Sequence, residues 1–377
     1  MQATDTHSPD SPPPAPPGAL ADWLRLARTP EVGLVTAHRL LAHFLHPQAI
    51  FAAAAAADPA LARHVRPAQL AALRRQPDGV QAELDAIHTW VQAPGNRVLA
   101  LDHADYPAAL RHIPNPPLLL YLRGRAELLA NSALAMVGSR NASTQGIQTA
   151  GRMAQALSDA GLTIVSGLAL GIDAGAHVGA LRGAGATVAV VGTGADRCYP
   201  ARNRALAEQI AAQGCIVSEY PLGTPPLSDN FPRRNRVISG LARGVLVVEA
   251  ALKSGSLITA RLAAAQGRDV YAIPGSIHAT LSKGCHVLIR EGAKLVESAE
   301  DILEDWRMLP AGYARALPDD SFVDRVLEAL GPHPGSADDL ALRLHQEVAD
   351  LQGQLLALEL AGLLERLPGG MFQRLWR

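Results

Sequence analysis

The sequence predicts an α/β protein: a Rossmann-like, doubly wound, mostly parallel sheet between an N-terminal helical domain and a C-terminal winged-helix domain. Short, continuously apolar runs recur between residues 133 and 296, as strands buried on both faces require. Segments of helical periodicity alternate with these runs, which points to parallel strands joined by crossover helices. Both ends of the chain lack this alternation and read as helical units instead.

Residues 1–18 are rich in Pro, Ser and Asp. They offer too little apolar surface to offset the entropy of ordering, so a disordered tail is expected. Residues 19–92 are predicted to form several short helices, a domain of the SAM or helix-hairpin-helix kind. Within it, Pro30 to Leu41 reads as a turn opening an amphipathic helix. An ordinary helical pair is the alternative. The central domain spans 97–305. Its strands are placed at Ala133–Val137, Thr163–Val165, Ala186–Val191, Cys215–Val217, Val245–Val248, Val270–Ala272 and Lys294–Val296. Helices are placed at Thr144–Ala160, Ala174–Arg182, Asn203–Ala212 and Leu257–Gln266. Strand order stays open. A Pro-containing linker over 311–318 leads to residues 321–377. There, a helix at Phe322–Leu330, a second capped by Ser336, a third at Gln346–Ala361 and a hairpin with a Pro368-Gly369-Gly370 tip suggest a winged helix. The third helix carries almost no basic residues, which weakens a major-groove reading. A wing that contacts protein, or is purely structural, fits equally well.

Composition narrows the function. The formal net charge is −1, so a polyanion partner would need a local basic site. Lysine occurs only at 253, 283 and 294. Cys198, Cys215 and Cys285 are scattered and form no C-x-x-C pair, so neither a disulfide framework nor a metal site is expected. The first residues do not read as a secretory signal, and no apolar run reaches the ~18 residues of a membrane span. A cytoplasmic location is expected, with no membrane partner.

In an open parallel sheet, ligands sit beyond the carboxyl ends of the strands, so the loops there carry the chemistry. After the first predicted strand come Gly138, Ser139, Arg140 and Asn141, a turn with one hydroxyl and one guanidinium. After the second come Ser166 and Gly167, then Gly171 and Asp173, small residues ahead of a helix N-terminus that favours an anion. Gly192-Thr193-Gly194 follows the third. Lys253, Ser254, Gly255 and Ser256 follow the fifth and open a helix. Pro274-Gly275-Ser276 follows the sixth. The most basic element runs through Phe231, Arg233, Arg234, Asn235 and Arg236. Arginines at a helix start oppose the helix dipole, a conflict that bound phosphates would relieve.

Enzyme readings fare worse. Gly192-Thr193-Gly194 lacks the third glycine of a dinucleotide fingerprint. No G-x-x-x-x-G-K-[ST] loop or G-x-S-x-G elbow is present. Asp173 and His177 lie four apart and read as a helix-stabilising pair, and His278 as a lone loop histidine. No nucleophile, base and oxyanion hole can be assembled, so no catalytic residue and no cofactor is expected.

Four motifs occur in order: Met136-Val137-Gly138-Ser139-Arg140; Ser166-Gly167-x-Ala169-x-Gly171-Ile172-Asp173-x-x-Ala176-His177; Phe231-Pro232-Arg233-Arg234-Asn235-Arg236-x-Ile238-Ser239-Gly240-Leu241; and Lys253-Ser254-Gly255-Ser256-Leu257-x-Thr259-Ala260. With them the chain closely resembles the bacterial DNA-processing protein A family (DprA, also called Smf) over about 99–304. The resemblance implies a mediator that binds incoming single-stranded DNA during natural transformation, protects it and loads the RecA recombinase, as a homodimer. It further implies that Arg140 and Lys253 grip phosphates, that Ser139, Gly167, Ser254, Gly255 and Ser256 line the pocket, and that Arg233, Arg234 and Arg236 extend it. Cys198, before Tyr199-Pro200, departs from the aliphatic residue usual there. Two other classes remain as alternatives. One is an enzyme acting on a nucleotide or nucleoside monophosphate. The other is a transcription regulator using the terminal wing.

Overall fold

The computed structural model describes residues 17–308, 320–331, 333–346, 348–360, 363–367 and 370–374. The expected tail lies outside the described residues except for Pro17 and Gly18, which open the first helix. The linker over 311–318 and the hairpin-tip residues Pro368 and Gly369 also lie outside. The chain forms two units, residues 1–303 and 304–377.

Six helices open the first unit: α1 (Pro17–Arg28), α2 (Leu34–Phe44), α3 (Pro47–Ala55), α4 (Pro59–Ala62), α5 (Pro67–Leu73) and α6 (Val80–Trp90). Proline stands in the first turn of α3, α4 and α5, where its missing N–H leaves no hydrogen bond unmade. Trp23, Leu40, Ile50, Leu73 and Ile87 form the centre of this segment.

Next come β1 (Asn96–Ala100), the short α7 (Ala108–Arg111) and β2 (Leu119–Gly124). Neither strand is predicted from the sequence. They pair antiparallel, with Val98 opposite Tyr121. Leu119 and Tyr121 share a core with the six helices, so one face of this pair is covered by the N-terminal segment. The Tyr121 hydroxyl donates to Glu83 at 3.2 Å, and Glu83 also accepts a bidentate pair of bonds from Arg28 at 2.7 Å each.

The alternating region then follows as β3 (Ala133–Val137), α8 (Thr144–Asp159), β4 (Thr163–Ser166), α9 (Ile172–Ala180), β5 (Thr187–Val190), α10 (Arg204–Gln213) and β6 (Cys215–Ser218). It continues as α11 (Asn230–Leu241), β7 (Gly244–Val247), α12 (Ser256–Ala265), β8 (Asp269–Ala272), α13 (Lys283–Arg290), β9 (Lys294–Leu295) and α14 (Ala299–Asp305). Every residue of β3, β4, β5, β6 and β7 is buried, which is why their sequences are apolar without alternation.

The sheet order is β1-β2-β6-β5-β4-β3-β7-β8-β9. From β6 to β9 all neighbours are parallel, while β2 joins β6 antiparallel. The chain starts at β3, steps outward through β4, β5 and β6, then returns across β3 to β7. The winding direction therefore reverses between β3 and β7. Loops leaving these two strands diverge and open a crevice at their carboxyl ends.

The second unit holds α15 (Asp320–Leu330), β10 (Gly335–Ser336), α16 (Ala337–Leu344), α17 (Val348–Leu360), β11 (Leu364–Leu367) and β12 (Met371–Arg374). Its antiparallel strands run β10-β12-β11, and Val326, Leu340, Leu351, Leu355 and Phe372 fill its core. The Ser336 hydroxyl accepts the Asp339 N–H at 3.1 Å, capping α16 as its sequence requires. This is a winged helix.

Helices α8 and α9 pack so closely that a methyl group on Gly179 would overlap the Gly151 carbonyl. Gly179→Ala should therefore force the helices apart and cost ~1–3 kcal/mol of stability. Urea unfolding checks this, and an unchanged midpoint would show that the pair tolerates the extra methyl.

Candidate nucleic-acid interface

The crevice between β3 and β7 is built from backbone first. The Ser139 N–H donates to the Glu249 carbonyl at 2.7 Å, and the Ser139 carbonyl accepts the Ile172 N–H at 3.2 Å. These bonds tie the loop after β3 to the loop after β7 and to the start of α9. Gly171 makes the crossing possible. Its φ of 78° favours glycine, and a Cβ there would run into the carbonyl oxygens of Ser139 and Arg140.

The N-terminus of α8 is the place where such folds commonly seat a phosphate. Here the chain fills it with its own anion. The Glu249 carboxylate accepts the Ser143 N–H at 2.9 Å and the Ser143 hydroxyl at 2.5 Å. Ser143 Oγ in turn accepts the Gly146 N–H at 2.9 Å. At α12, by contrast, Gly255 stands at the N-cap and supplies no side-chain cap. The Ser254 and Ser256 hydroxyls lie 2.7 Å apart beside it, and Lys253 is exposed. The Ser256 N–H reaches the Ser254 hydroxyl only at 3.4 Å, so the start of α12 carries a looser cap than that of α8 and no carboxylate.

The loop after β4 behaves differently from its sequence expectation. Its N–H groups are not free for an anion. Asp173 accepts the N–H groups of Gly167 at 3.1 Å and Ala169 at 3.4 Å. His177 Nε2 accepts the Leu168 N–H at 3.2 Å. His177 Nδ1 must then carry the proton and donate to Thr187 Oγ1 at 2.7 Å, because the Thr187 hydroxyl is itself committed as a donor to the Ile164 carbonyl. So Asp173 and His177 do not stabilise each other along the helix. Each caps part of the loop. Ser166 is fully buried, and its hydroxyl donates to the Met136 carbonyl at 2.6 Å.

The arginine run on α11 divides among three environments. Arg233 is exposed but lies outside the crevice lining. Arg234 is buried beneath it and donates to the Gly167 carbonyl at 2.8 Å and to the Val190 carbonyl. Burial lowers its pKa to about 10, with Asp173 opposing the drop, so it stays charged at neutral pH. Burial likewise raises the Asp173 pKa, against the field of Arg234. Arg236 pairs with Glu219 at 2.6 Å, both side chains being less than a fifth exposed. The bond to Glu219 turns it away from the crevice, whose lining does not include it. Three arginines within four residues thus serve solvent, core and a half-buried ion pair. At ~100° per residue Arg234 points away from Arg233 and into the core, while Arg233 and Arg236, three apart, share a side and differ because Glu219 holds the second.

What remains is a cleft of about 690 Å³. Gly138, Ser139, Arg140, Phe231, Asn235, Lys253, Ser254, Gly255 and Ser256 line it, with Arg234 and Asp173 at its floor. Ser166, Gly167, Arg233 and Arg236 do not line it. Arg140 reaches over the Phe231 ring, 5.7 Å from its centroid, within cation–π range. Tyr199 packs against Phe231 with centroids 5.4 Å apart and is 44% exposed. Neither Tyr199 nor Glu249 is singled out by sequence alone. Tyr199 follows the third predicted loop, and an exposed aromatic beside proline at a strand's carboxyl end was the available signal. Glu249 was visible only as an acid ending an apolar run. Among the described residues no cluster of metal ligands occurs, and no helix is long and apolar enough to cross a membrane.

With the geometry in place, comparison with known proteins adds the following. Residues 97–307 match the family described as DNA recombination-mediator protein A. Residues 19–86 match a DprA-like N-terminal HHH domain, and 312–370 a DprA winged helix domain. The protein Smf of Escherichia coli (strain K12) is 42% identical over 293 residues, covering 74% of this chain and 78% of that one. The X-ray structure of DNA processing protein A from Streptococcus pneumoniae superposes with a TM-score of 0.65 at 37% identity, over 77% of this chain and 98% of that one. The DNA processing protein A of Helicobacter pylori, solved to show a single-stranded DNA binding mode, has a TM-score of 0.51 at 30% identity, over 56% and 95%.

Burial depresses the pKa of His177 to about 3. In the unfolded chain it titrates near ~6.5. Between these values only the unfolded chain takes the proton. This histidine's contribution is therefore complete above pH ~6.5 and shrinks as pH falls, by ~1.4 kcal/mol per unit. Asp173 shifts upward and works in the opposite sense at the acid end, so the informative quantity is the difference between parent and His177→Gln. The parent should lose stability faster than the variant between pH ~6.5 and ~4.5 in chemical denaturation. Parallel pH profiles would show that His177 is not held neutral.

Proposed function

The chain belongs to the DNA recombination-mediator protein A family, and from that premise we propose that it binds single-stranded DNA as a recombination mediator. In this reading it protects incoming DNA and loads RecA onto it during natural transformation, in the cytoplasm and as a homodimer. The observation that carries DNA binding is the pairing of two exposed cations across the cleft. Arg140 comes from the loop after β3 and Lys253 from the loop after β7. Neither has an ion-pair partner among the described residues. Their charge is left for a ligand.

Chemistry of this kind ignores base identity. Guanidinium, ammonium, serine hydroxyls and the start of α12 address phosphate oxygens. Phe231 and Tyr199 offer π-faces that accept any base. A single strand supplies both at once, whereas a duplex hides its bases. The same cleft volume lies in the range of small-molecule sites, which favours the nucleotide-handling enzyme as the second reading. Against turnover, the carboxylate in the cleft lining, Asp173, already holds the loop after β4. It is buried at the cleft floor in the field of Arg234 and serves to hold that loop, so we assign binding and no catalysis. Support for the recombinase-loading role comes from the family, described as recombination mediators. The DNA-binding assignment extends to Gly138, Ser139, Phe231, Asn235, Ser254, Gly255 and Ser256. For Ser166, Gly167, Arg234 and Arg236 the role becomes support of the cleft from below or behind.

Arg140→Ala and Lys253→Ala should each weaken binding of an oligothymidine by ~1–2 kcal/mol, as expected for a lost charge-assisted contact. Each should also lower the log–log salt slope by ~0.7. Fluorescence anisotropy across a salt series reads both, and parent-like affinity in either variant removes that residue from the site. Phe231→Ala should cost ~1–3 kcal/mol with an unchanged salt slope, because stacking releases no counterions. A change in slope instead would mean that the ring acts only by positioning Arg140. Turnover of nucleoside monophosphates by the purified protein would overturn the binding-only assignment. Unaltered RecA filament formation on protein-coated strands would overturn recombinase loading.

A further inference from the structure

A second concavity, of about 500 Å³, lies between α8 and α9. We propose that it is a continuation of the same track, taking phosphates of the single strand after they pass Arg140. The proposal rests on the single-strand reading of the first cleft.

Three observations carry it. The first is continuity. Gly171 lines this groove, and its backbone lies directly against the carbonyls of Ser139 and Arg140 in the first cleft. A chain leaving the cleft past Arg140 therefore meets the mouth of the groove. The second is charge. Arg152 on α8 and Arg182 just after α9 line the groove, are exposed, and have no ion-pair partner among the described residues. From Gly138 to Arg182 the exposed ionisable groups are Arg140, Arg152, Asp159 and Arg182, and Asp159 lies outside the groove lining. A molecule with a formal net charge of −1 thus keeps this strip positive. The third is the mix of partners. Gln148 and Gln155 supply amide donors, while Ile147 and Val178 stay 39% and 42% exposed. Phosphate, sugar and base faces of a flexible strand need that combination of cation, amide and apolar surface.

The stretch from Ala174 to Arg182 spans ~12 Å along the helix axis, enough to add contacts beyond those of the first cleft. A protein segment could also use apolar surface here. Against that, the groove lining lacks an acidic residue and borders, through Gly171, the loop that carries Arg140, so the strand is the better occupant.

The test compares the full chain with Arg152→Ala/Arg182→Ala and with Arg152→Lys/Arg182→Lys. Binding is measured across a salt series with thymidine oligomers of ~6 and ~20 nucleotides, chosen to bracket the site sizes of single-strand binders. The alanine pair should bind the short oligomer as the parent does. It should bind the long one at least ~10-fold more weakly, with the salt slope lowered by ~1.4 for two lost contacts. The lysine pair should regain most of the long-oligomer affinity, since a phosphate needs the charge there and not the fork. If the parent binds both oligomers and the alanine pair matches it on both, the groove is not on the path and the cleft reading survives. Long-oligomer affinity that the lysine pair does not recover also overturns the proposal. A changed oligomeric state in the alanine pair, with DNA binding intact, would assign the groove to a protein contact instead. If the parent binds neither oligomer, the cleft reading falls and this extension falls with it.

Discussion

A charge removed from water organises the carboxyl edge of this sheet. Arg234 is buried under the cleft and ties the end of β4, through Gly167, to the end of β5, through Val190. An isolated guanidinium in such a place would be costly, and its pairing in the field of Asp173 with two carbonyl acceptors makes it tolerable. Asp173 in turn accepts two N–H groups of the neighbouring loop. Remove either charge and the other is left uncompensated in the interior. The loops after β4 and β5 are therefore fixed before any ligand arrives, and that rigidity sets where Arg140, Phe231 and Tyr199 stand.

Preorganisation of this kind also fills two of the anion seats that such a fold commonly offers. Glu249 occupies the helix end that a dinucleotide would use. His177 and Asp173 use up the N–H groups of the next loop. At α12, across the switch point, no carboxylate caps the helix and the exposed Lys253 stands beside it. Lys253 lies on the rim of an open cleft and not at the bottom of an enclosed pocket. Such a rim suits a long chain that must pass through and leave.

The chain as a whole is close to neutral, so attraction of a polyanion depends on where charge is concentrated and not on its total. Of the arginines, many are committed internally: Arg28 to Glu83, Arg123 to Glu208, Arg236 to Glu219. Arg140, Arg152, Arg182 and Lys253 are not paired in that way among the described residues. The winged helix follows as a separate unit, with a capped α16 and an α17 that carries no basic residue in its last turn.

The sequence by itself determined the order of the buried strands and placed the crossover helices α8, α9, α10 and α12, because burial on both faces leaves only continuous apolar runs with that spacing. Helices α11 and α13 are not placed by it. Ala133–Val137 and Thr144–Asp159 stand where their patterns put them, the second to within one residue. It also determined that Gly138-Ser139-Arg140 and Lys253-Ser254-Gly255-Ser256 belong to strand ends. β1 and β2 escaped because an antiparallel edge pair carries a mixed pattern, exposed at Arg97 and apolar through Leu119–Leu122. Only the tertiary structure decided which cations face a ligand. Arg233, Arg234 and Arg236 look equivalent in the chain, yet one faces solvent, one lies in the core and one is held by Glu219. Partner choice for a charge is a long-range matter: Gly167 lies 67 residues from Arg234, and Glu249 lies 106 from Ser143. Local pattern records burial and periodicity, but it holds no record of which distant group will neutralise which.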